Sequence, residues 1–377
     1  MDIKNLKFSN FRNFSQADLI FAQTVLLIGS NAQGKSNLLE AIYFLATTKS
    51  PRAEKDIQLI KEGEDFARVE GEIQQGEALT PQGLPLEKLE IFMQKKEGME
   101  GLEKKLKVNG VGRRASDYIG NLVAVHFSPE DINLVTGPPA LRRWHVDLTL
   151  AQIDKEYKNA LNTYHSALTS RNRVLKGIKE GFSKINELDF WTDQLVSSGE
   201  IISQKRQDFF QFLNNLEFDD ELGQFRFFYL ENQFTQDLAR EYLAREIAAA
   251  VTLIGPQRDD FIFKLDNRDL AYFGSRGEQR SAVLQLKLSE LKFITQTKNI
   301  LPILLLDDIF SELDRSHREH VIKIISGQPF DPSTLRQSSG LRAQGMQTIL
   351  SAVETENIPK SFLQKVQIIR VEKGKIE

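Results

Sequence analysis

A glycine-rich loop constrains this 377-residue chain more than any other feature. Residues 29–36 read Gly-Ser-Asn-Ala-Gln-Gly-Lys-Ser and fit the pattern G-x-x-x-x-G-K-S completely. The aliphatic run at residues 25–28 predicts a buried strand before the loop, and residues 36–42 have the composition of a helix after it. Strand, glycine loop and helix in this order are the context that a phosphate-binding loop requires. An ordinary glycine turn before a helix is the much less favoured interpretation.

Each position of the loop has an expected part in holding a nucleotide. Backbone N–H groups can converge on an anion there, and the helix N-terminus adds a favourable dipole. The residues expected to contact the nucleotide are Gly29, Ser30, Asn31, Ala32, Gln33, Gly34, Lys35 and Ser36. Lys35 is expected to reach the β- and γ-phosphates, and Ser36 to coordinate Mg²⁺. The expected cofactors are therefore ATP and Mg²⁺.

Two carboxylates follow a hydrophobic run far downstream. Residues 303–306 are aliphatic and are followed by Asp307 and Asp308, at the end of a strand where open α/β sheets bind ligands. We expect Asp307 to hold Mg²⁺ through water and Asp308 to deprotonate the attacking water. A solvated strand end is the alternative, which the upstream loop disfavours. Many ABC-type ATPases have Glu at the second position. Asp is one methylene shorter, so hydrolysis is expected to be slow.

A third element is similar to the signature turn of ABC-type ATPases. It occupies residues 273–279, and the apolar residues that follow it predict a helix beginning at the turn. The residues expected to bind a γ-phosphate here are Ser275, Gly277, Glu278 and Gln279. A structural turn before a helix is the alternative. In the ABC type such a turn serves the nucleotide of a second subunit, so the pattern predicts an ATP-dependent homodimer.

Composition excludes several function classes. The chain has no cysteine, so it has no disulfides, no catalytic thiol and no cysteine-based metal site. No apolar run approaches the roughly 20 residues of a membrane span, and the first five residues lack the apolar core of a signal peptide. A cytoplasmic, nucleoid-associated protein is expected. Because the net charge is −3, any affinity for nucleic acid must come from a local patch.

The chain is expected to form two lobes. Residues 1–125 and 300–377 are predicted to build an α/β ABC-type ATPase head, and residues 126–299 a mainly helical second lobe. Apolar residues recur at helical spacing from about residue 150 to residue 213, with a tip at residues 177–184. Fewer than four heptads are available, so long coiled-coil arms are not expected. The polar stretch at residues 326–345 is expected to be a surface loop.

Taken together, these motifs and several others resemble the RecF family of bacterial recombination and gap-repair ATPases, which are related to SMC proteins. The resemblance covers almost the whole chain. The other matching segments are Phe-Ser-Asn-Phe-Arg-Asn-Phe at 8–14, Thr-Lys-Ser-Pro-Arg at 48–52, Phe-Ser-Pro-Glu-Asp at 127–131, Arg-Arg-Trp at 142–144, Gly-Pro-Gln-Arg-Asp-Asp at 255–260 and Ser-Glu-Leu-Asp at 311–314. Roughly 240 residues separate the loop from the signature, more than in transporter subunits and fewer than in SMC proteins.

The resemblance implies roles for further residues. Arg12 is expected near the nucleotide phosphates, residues 311–314 as the D-loop, and residues 127–131 in place of the nucleotide-sensing Q-loop. Two positions depart from related patterns. Gln257 stands where many relatives are expected to have His, and Ser351 where transporters keep a switch His, which leaves the γ-phosphate sensor unassigned.

The same resemblance implies a function in DNA repair. It predicts binding to double-stranded DNA and to gapped or single-stranded junctions, slow DNA-dependent ATP hydrolysis, and work with RecR and RecO in gap repair, replication restart and SOS induction. The basic residues assigned to DNA are Lys49, Arg52, Arg142 and Arg143. Solvated surface charges are an equally good interpretation of each one singly. The alternative functions are an energising ATPase subunit for a partner other than DNA and, with less support, a small-molecule kinase.

Overall fold

The computed structural model describes residues 1–75, 86–96, 101–216, 225–312, 318, 321–322, 345–355 and 358–376. The chain divides into two compact units. Unit 1 consists of Met1–Asp131 and Glu290–Glu377, and unit 2 of Ile132–Ser289. The predicted D-loop at residues 311–314 and surface loop at residues 326–345 lie largely outside the described residues. No described helix is both long enough and apolar enough to cross a lipid bilayer.

Unit 1 contains an antiparallel sheet of six strands. Its strands are β1 Asp2–Phe11, β2 Phe14–Ile20, β4 Phe66–Gln74, β5 Glu87–Lys95, β6 Leu102–Val108 and β7 Val111–Arg113. Their order across the sheet is β2-β1-β4-β5-β6-β7. Buried and more exposed residues alternate along β4, which is typical of a strand with one face on the core and one in solvent.

A second sheet of unit 1 is mainly parallel. Its strands are β3 Thr24–Ile28, β8 Ala124–Phe127, β12 Ile303–Leu306, β13 Thr348–Ala352, β14 Gln367–Glu372 and β15 Lys375–Ile376. The order is β15-β14-β3-β13-β12-β8, with only β15 antiparallel to its neighbour. Every residue of β12 and β13 is buried, as expected for parallel strands covered on both faces. The strands predicted before the loop and before the paired aspartates are thus confirmed.

Helix α1, Lys35–Thr47, packs against strands of both sheets of unit 1. This position explains why nearly the whole helix is buried rather than one face of it. Three short helices complete the described part of the unit: α2 Ala115–Tyr118, α10 Ile309–Glu312 and α11 Lys360–Leu363.

Unit 2 is mainly helical. Its helices are α3 Asn133–Thr136, α4 Pro139–Ile153, α5 Lys155–Lys179, α6 Asp189–Asn214, α7 Gln236–Ala249, α8 Leu270–Phe273 and α9 Arg276–Lys298, the last of which runs in sequence past the unit boundary. A small antiparallel sheet has the order β11-β10-β9. Its strands are β9 Phe225–Leu230, β10 Asp260–Leu265 and β11 Arg268–Asp269.

Helices α5 and α6 form the predicted helical hairpin. They are 25 and 26 residues long, and the part of the chain that the structure describes contains no long coiled-coil arm, as expected. Helix α5 begins where Asp154 accepts a hydrogen bond from the backbone N–H of Tyr157 at 2.9 Å, a side-chain N-cap. The apolar stripes of the two helices are buried against each other, as the helical spacing of the sequence predicts.

A buried network of charges holds unit 2 together. The guanidinium of Arg206 on α6 donates to Asp147 and to Asp259, both at 2.6 Å. Arg171 on α5 pairs with Glu246 on α7 at 2.7 Å, with both side chains almost inaccessible to solvent. Burial raises the pKa of Asp259, while the nearby Arg206 cation opposes that shift. Loss of either partner would leave an unpaired buried charge, which costs several kcal/mol.

Candidate nucleotide site

The glycine loop joins β3 to α1, and two of its glycines are required for different reasons. Gly34 has φ of 119°, in the left-handed region that side chains disfavour. Gly29 lies close to strand β14, where an added Cβ atom would stand only 2.3 Å from the carbonyl oxygen of Val371. Gly34 permits the turn into the helix, and Gly29 permits the close passage of the neighbouring strand β14.

The tip of the loop is fixed by segments that are distant in sequence. The carbonyl oxygen of Gln33 accepts from Asn13 Nδ2 and from the backbone N–H of Gly374, both at 3.0 Å. The Gln33 side chain accepts from the N–H of Lys373 at 2.6 Å. Asn13 also accepts from Asn37 on α1 at 2.8 Å. The loop is therefore held in one conformation by other segments of the chain, and a loop that is already ordered costs less entropy when it binds a ligand.

Lys35, the lysine of the glycine loop, is buried. Its ammonium donates to the carbonyl oxygens of Gly29 at 2.6 Å and of Ser30 at 3.0 Å. Burial lowers the pKa of this ammonium, and the charges of Asp308 and Asp307 oppose that shift. Both carboxylates at the end of β12 are thus close enough to act on the loop lysine.

Ser36 and Asp307 meet at the edge of the parallel sheet. Ser36 Oγ lies 2.9 Å from Asp307 Oδ1, although 271 positions separate the two residues. A hydroxyl and a carboxylate are oxygen ligands of the kind that Mg²⁺ takes from proteins when phosphates and water complete its shell. The donor set therefore fits a magnesium ion beside the loop.

Asp308 has an unusual backbone. Its φ is 47°, in the left-handed region, and its N–H donates to Ser351 Oγ at 2.9 Å. Ser351 lies next to the end of β13 and donates in turn to Asp307 Oδ1 at 2.7 Å. Strained backbone of this kind persists where surrounding contacts determine it. In the sequence, Ser351 was noted only as the residue at the position where transporters have a switch His. Its contacts with both aspartates were not predicted.

These observations were compared with known proteins. The family model described as RecF/RecN/SMC N terminal domain matches residues 2–332. A DNA replication and repair protein RecF from Halalkalibacterium halodurans is 35% identical over 403 aligned positions, covering 100% of this chain and 99% of the relative. The chain belongs to the RecF family. A second RecF, from Agathobacter rectalis, is 33% identical and covers 100% of this chain and 99% of its own length.

Solved structures of the RecF family have the same fold. The recombination mediator protein RecF with ATP, in the RecFOR pathway, matches with a TM-score of 0.82 at 27% identity, covering 100% of this chain and 98% of the other. A second structure of that protein, described as RecF-ATPrS, matches with a TM-score of 0.81. The predicted α/β ABC-type ATPase fold and the resemblance to the RecF family are thus confirmed.

Arg12 lies beside the helix that follows the loop. Its backbone has φ of 53°, and its guanidinium binds both carboxylate oxygens of Glu40 on α1, at 2.8 and 2.7 Å. It also donates to the carbonyl oxygen of Gln58 at 3.0 Å. Glu40 is fully buried, so Arg12 supplies the positive partner that a buried carboxylate requires. A contact of Arg12 with phosphate, as the RecF-family resemblance implies, stays a prediction.

The signature turn is a capping box at the start of α9. Ser275 Oγ accepts from the N–H of Glu278 at 3.2 Å, and Glu278 Oε2 accepts from the N–H of Ser275 at 2.7 Å. The pKa of Glu278 is lowered by hydrogen bonding to its carboxylate from Ser275, first through the backbone N–H, and then by the ion pair with Arg268 at 3.1 Å. Ser275 and Arg276 are exposed, and an added Cβ at Gly277 would meet no atom closer than 4.0 Å.

Gln279 points into the protein instead of toward a ligand. Its Nε2 donates to the carbonyl oxygen of Leu270 at 2.8 Å, and only 5% of the residue is exposed. Among the described residues its Oε1 has no hydrogen-bond partner. The structure thus places its side chain among the core residues of α9. A signal for this exists in the sequence, because Ala282, Val283 and Leu286 follow at helical spacing.

The four basic residues assigned to DNA fall into two groups. Lys49 and Arg52 are exposed, and Arg52 donates to Asn37 at 3.2 Å. Arg142 is buried on α4, where its guanidinium binds both oxygens of Asp260, at 2.6 and 2.8 Å. Its donors are thus used within unit 2, and we leave it out of the DNA surface. Arg143 is half-buried and donates to the carbonyl oxygen of Asp259 at 2.7 Å.

Two further segments implied by the family resemblance have defined contacts. In the 127–131 segment, Asp131 accepts from the N–H of Ser128 at 2.7 Å, and the carbonyl oxygen of Phe127 accepts from the N–H of Asp307 at 2.8 Å. The segment is therefore hydrogen-bonded directly to Asp307, the residue expected to bind magnesium. Gln257 accepts from the Tyr164 hydroxyl and donates to the carbonyl oxygen of Ile254 at 2.6 Å, which gives it a structural role in unit 2.

Proposed function

We propose that this chain is an ATP-dependent DNA repair protein of the RecF type. The single observation that carries the proposal is the contact between Ser36 and Asp307, which joins the glycine loop to the paired aspartates at one sheet edge. A phosphate-binding loop by itself would fit many nucleotide-binding proteins. Membership of the RecF family, together with relatives named as DNA replication and repair proteins, supports a function on DNA.

Hydrolysis in this proposal uses four residues of unit 1. Ser36 and Asp307 would hold Mg²⁺, and the ion would supply positive charge that stabilises the phosphates. Lys35 exchanges its bonds to the loop carbonyls for bonds to the phosphates, which satisfies the buried ammonium better. Asp308 orients the attacking water and takes its proton. Because Asp has a shorter reach than Glu, we expect turnover to be slow and the ATP-bound state to be long-lived.

Dimerisation depends on the exposed first turn of α9. Its free N–H groups, the hydroxyl of Ser275 and the open space at Gly277 together offer a site for the γ-phosphate held by a second copy of the chain. ATP would then act as the bridge between two identical protomers. The proposed dimer is symmetric, so each chain contributes one glycine loop and one signature turn to the pair of sites.

DNA binding is assigned to exposed cations. Lys49 and Arg52 are the candidates on unit 1, and Arg143 is the half-buried candidate on unit 2. We propose that the ATP dimer binds double-stranded and gapped DNA in the cytoplasm, at the nucleoid. RecR and RecO are the proposed partners in gap repair, replication restart and SOS induction. The RecFOR pathway to which the structurally similar protein belongs supports that assignment.

Sedimentation of the protein with and without ATP, each in the presence and absence of duplex DNA, tests the function. We expect a dimer with ATP and Mg²⁺, and DNA binding that weakens as salt rises. Replacing Lys49 or Arg52 with Ala should weaken binding to all sequences alike and reduce the salt slope by about one unit. ATP-dependent dimers that never bind DNA would contradict the repair function and favour an ATPase that energises another partner.

A further inference from the structure

One serine hydroxyl connects the two aspartates of the proposed hydrolytic site. Ser351 Oγ lies 2.7 Å from Asp307 Oδ1 and 2.9 Å from the backbone nitrogen of Asp308. A backbone N–H can only donate, so the serine oxygen accepts from Asp308. Its single hydrogen is left for Asp307, which as a carboxylate can only accept. The geometry therefore fixes the direction of both hydrogen bonds.

The hydroxyl is held rigidly. Ser351 is 1% exposed and belongs to β13, which is hydrogen-bonded on one side to β3 and on the other to β12. The neighbouring strands lead into the glycine loop and into the paired aspartates. Small hydroxyl side chains can rotate, but two short bonds in opposite senses leave this one a single arrangement. Its position is thus set by the same sheet that positions the nucleotide site.

The bond to Asp308 fixes a backbone that is otherwise unfavourable. At φ of 47° the residue occupies the left-handed region, which L-residues adopt only when local contacts compensate. Without an acceptor at Ser351, the Asp308 N–H would lose a partner in a part-buried location. The peptide could then rotate and carry the Asp308 carboxylate away from the attacking water.

We infer that Ser351 is a positioning residue for ATP hydrolysis. It couples the magnesium carboxylate Asp307 to the general base Asp308, so that metal and base stay in a fixed relative orientation. The inference rests on the proposed function. The hydrogen bonds described above for the loop tip and for Lys35 do not involve Ser351, so its loss should affect the chemical step far more than nucleotide binding.

The test compares three variants with the wild-type chain. Ser351→Ala removes the hydroxyl, Ser351→Thr retains it, and Thr348→Val is the matched control. Thr348 is equally buried on β13, but its hydroxyl donates only to the carbonyl oxygen of Met346 at 3.3 Å. Measurements are the turnover number, the Kd for ATP, the Mg²⁺ concentration for half-maximal activity, and the melting temperature.

For Ser351→Ala we expect turnover about 10–100-fold lower and a higher Mg²⁺ requirement, as when a residue that orients a metal ligand is removed. The Kd for ATP and the melting temperature should match those of Thr348→Val. Ser351→Thr should recover most of the turnover. If the extra methyl group of the threonine lowers the melting temperature, the role of the Ser351 hydroxyl is judged only from the comparison of Ser351→Ala with Thr348→Val.

Equal turnover in Ser351→Ala and Thr348→Val would overturn the inference. So would a parallel loss of turnover and ATP binding in Ser351→Ala, because that pattern belongs to a structural residue. Asp308→Asn separates this failure from that of the proposed function. If the wild-type chain hydrolyses ATP, and Asp308→Asn abolishes this activity whereas Ser351→Ala does not, the proposed function stands and only the inferred role of Ser351 is refuted.

Discussion

The two parts of the proposed ATPase machinery are built in opposite ways. The glycine loop is stabilised by residues from the first hairpin, the helix after the loop and the turn at residues 373–374. The signature turn is stabilised within four residues, by the reciprocal bonds of Ser275 and Glu278. A braced loop is ready to bind phosphate within one chain. The turn presents a helix end, and in the proposed dimer the second subunit supplies its ligand.

Among the substitutions that test this comparison, Lys35→Ala should have the largest effect, because it removes the one cation of the glycine loop. We expect ATP affinity to fall about 100-fold or more, since hydrogen bonds to charged groups contribute about 1.5–3 kcal/mol each. ATP-dependent dimers should disappear with it. Isothermal titration with ATP and sedimentation provide the measurements. Lys373→Ala is the control, because its exposed side chain lies beside the loop while its backbone makes the contact. Dimers that still respond to ATP in Lys35→Ala would refute the loop assignment.

Ser275→Asp tests the other side of the comparison. Aspartate caps helices as well as serine does, so the fold and the melting temperature should be retained. Its negative charge would face the γ-phosphate of the second subunit. ATP should therefore bind to each monomer with wild-type affinity, while dimers and turnover are lost. Ser275→Asn keeps the cap without the charge and should dimerise more strongly than Ser275→Asp. A Ser275→Asp chain that dimerises normally with ATP would show that the turn is only structural.

Asn13→Ala addresses the bracing itself and should have an intermediate effect. It removes the side-chain donor to Gln33 and the acceptor of Asn37, so the loop must be ordered when ATP binds. We expect the Kd for ATP to rise about tenfold, the equivalent of roughly one lost hydrogen bond. Asn5→Ala serves as the control, because Asn5 lies on β1 of the same hairpin but is bonded to the exposed Asp18. Unchanged affinity in Asn13→Ala would mean that the loop keeps its form without this brace.

The smallest expected effect concerns pH. The pKa of Glu278 is lowered in the folded chain, so its ionised form stabilises the capping box. That stability is present above the unfolded pKa of the carboxyl group and is lost as pH falls through the lower folded value. Melting temperatures measured from neutral to acidic pH should therefore decline less in Glu278→Gln than in the wild-type chain. An identical decline in both would exclude a contribution of this carboxylate, which is partly exposed and screened by solvent.

Local sequence patterns predicted much of unit 1. The strand, loop and helix around residues 29–36 and the strand before Asp307 each form from neighbouring residues, so a short window contains the necessary signal. The bonds of Asn13, Ser351 and Gly374 to the site could not be read in this way. Each joins segments far apart in the chain, and only the folded sheet brings them together.

Two of the residues assigned to ligands have buried side chains in the structure. Arg142 was assigned to DNA because it lies in a segment resembling the RecF family, and Gln279 to a phosphate because it lies in the signature turn. Both side chains turn inward instead. Each shares its helix face with buried residues three or four positions further on, such as Val146 for Arg142. A polar residue on an apolar stripe is more often a partner for a buried group than a ligand-binding side chain. For these two residues, the spacing of buried positions along the helix thus predicts the direction of the side chain better than the motif does.

Strand order has a consequence for synthesis on the ribosome. Strand β3, which leads into the glycine loop, is paired on both sides by β13 and β14, whose residues begin at positions 348 and 367. At about 5–20 residues per second, those partners emerge on the order of tens of seconds after β3 does. During that interval the antiparallel sheet and the helical unit can fold, but the loop has no neighbouring strands. A nascent chain therefore cannot engage ATP until translation has passed β14.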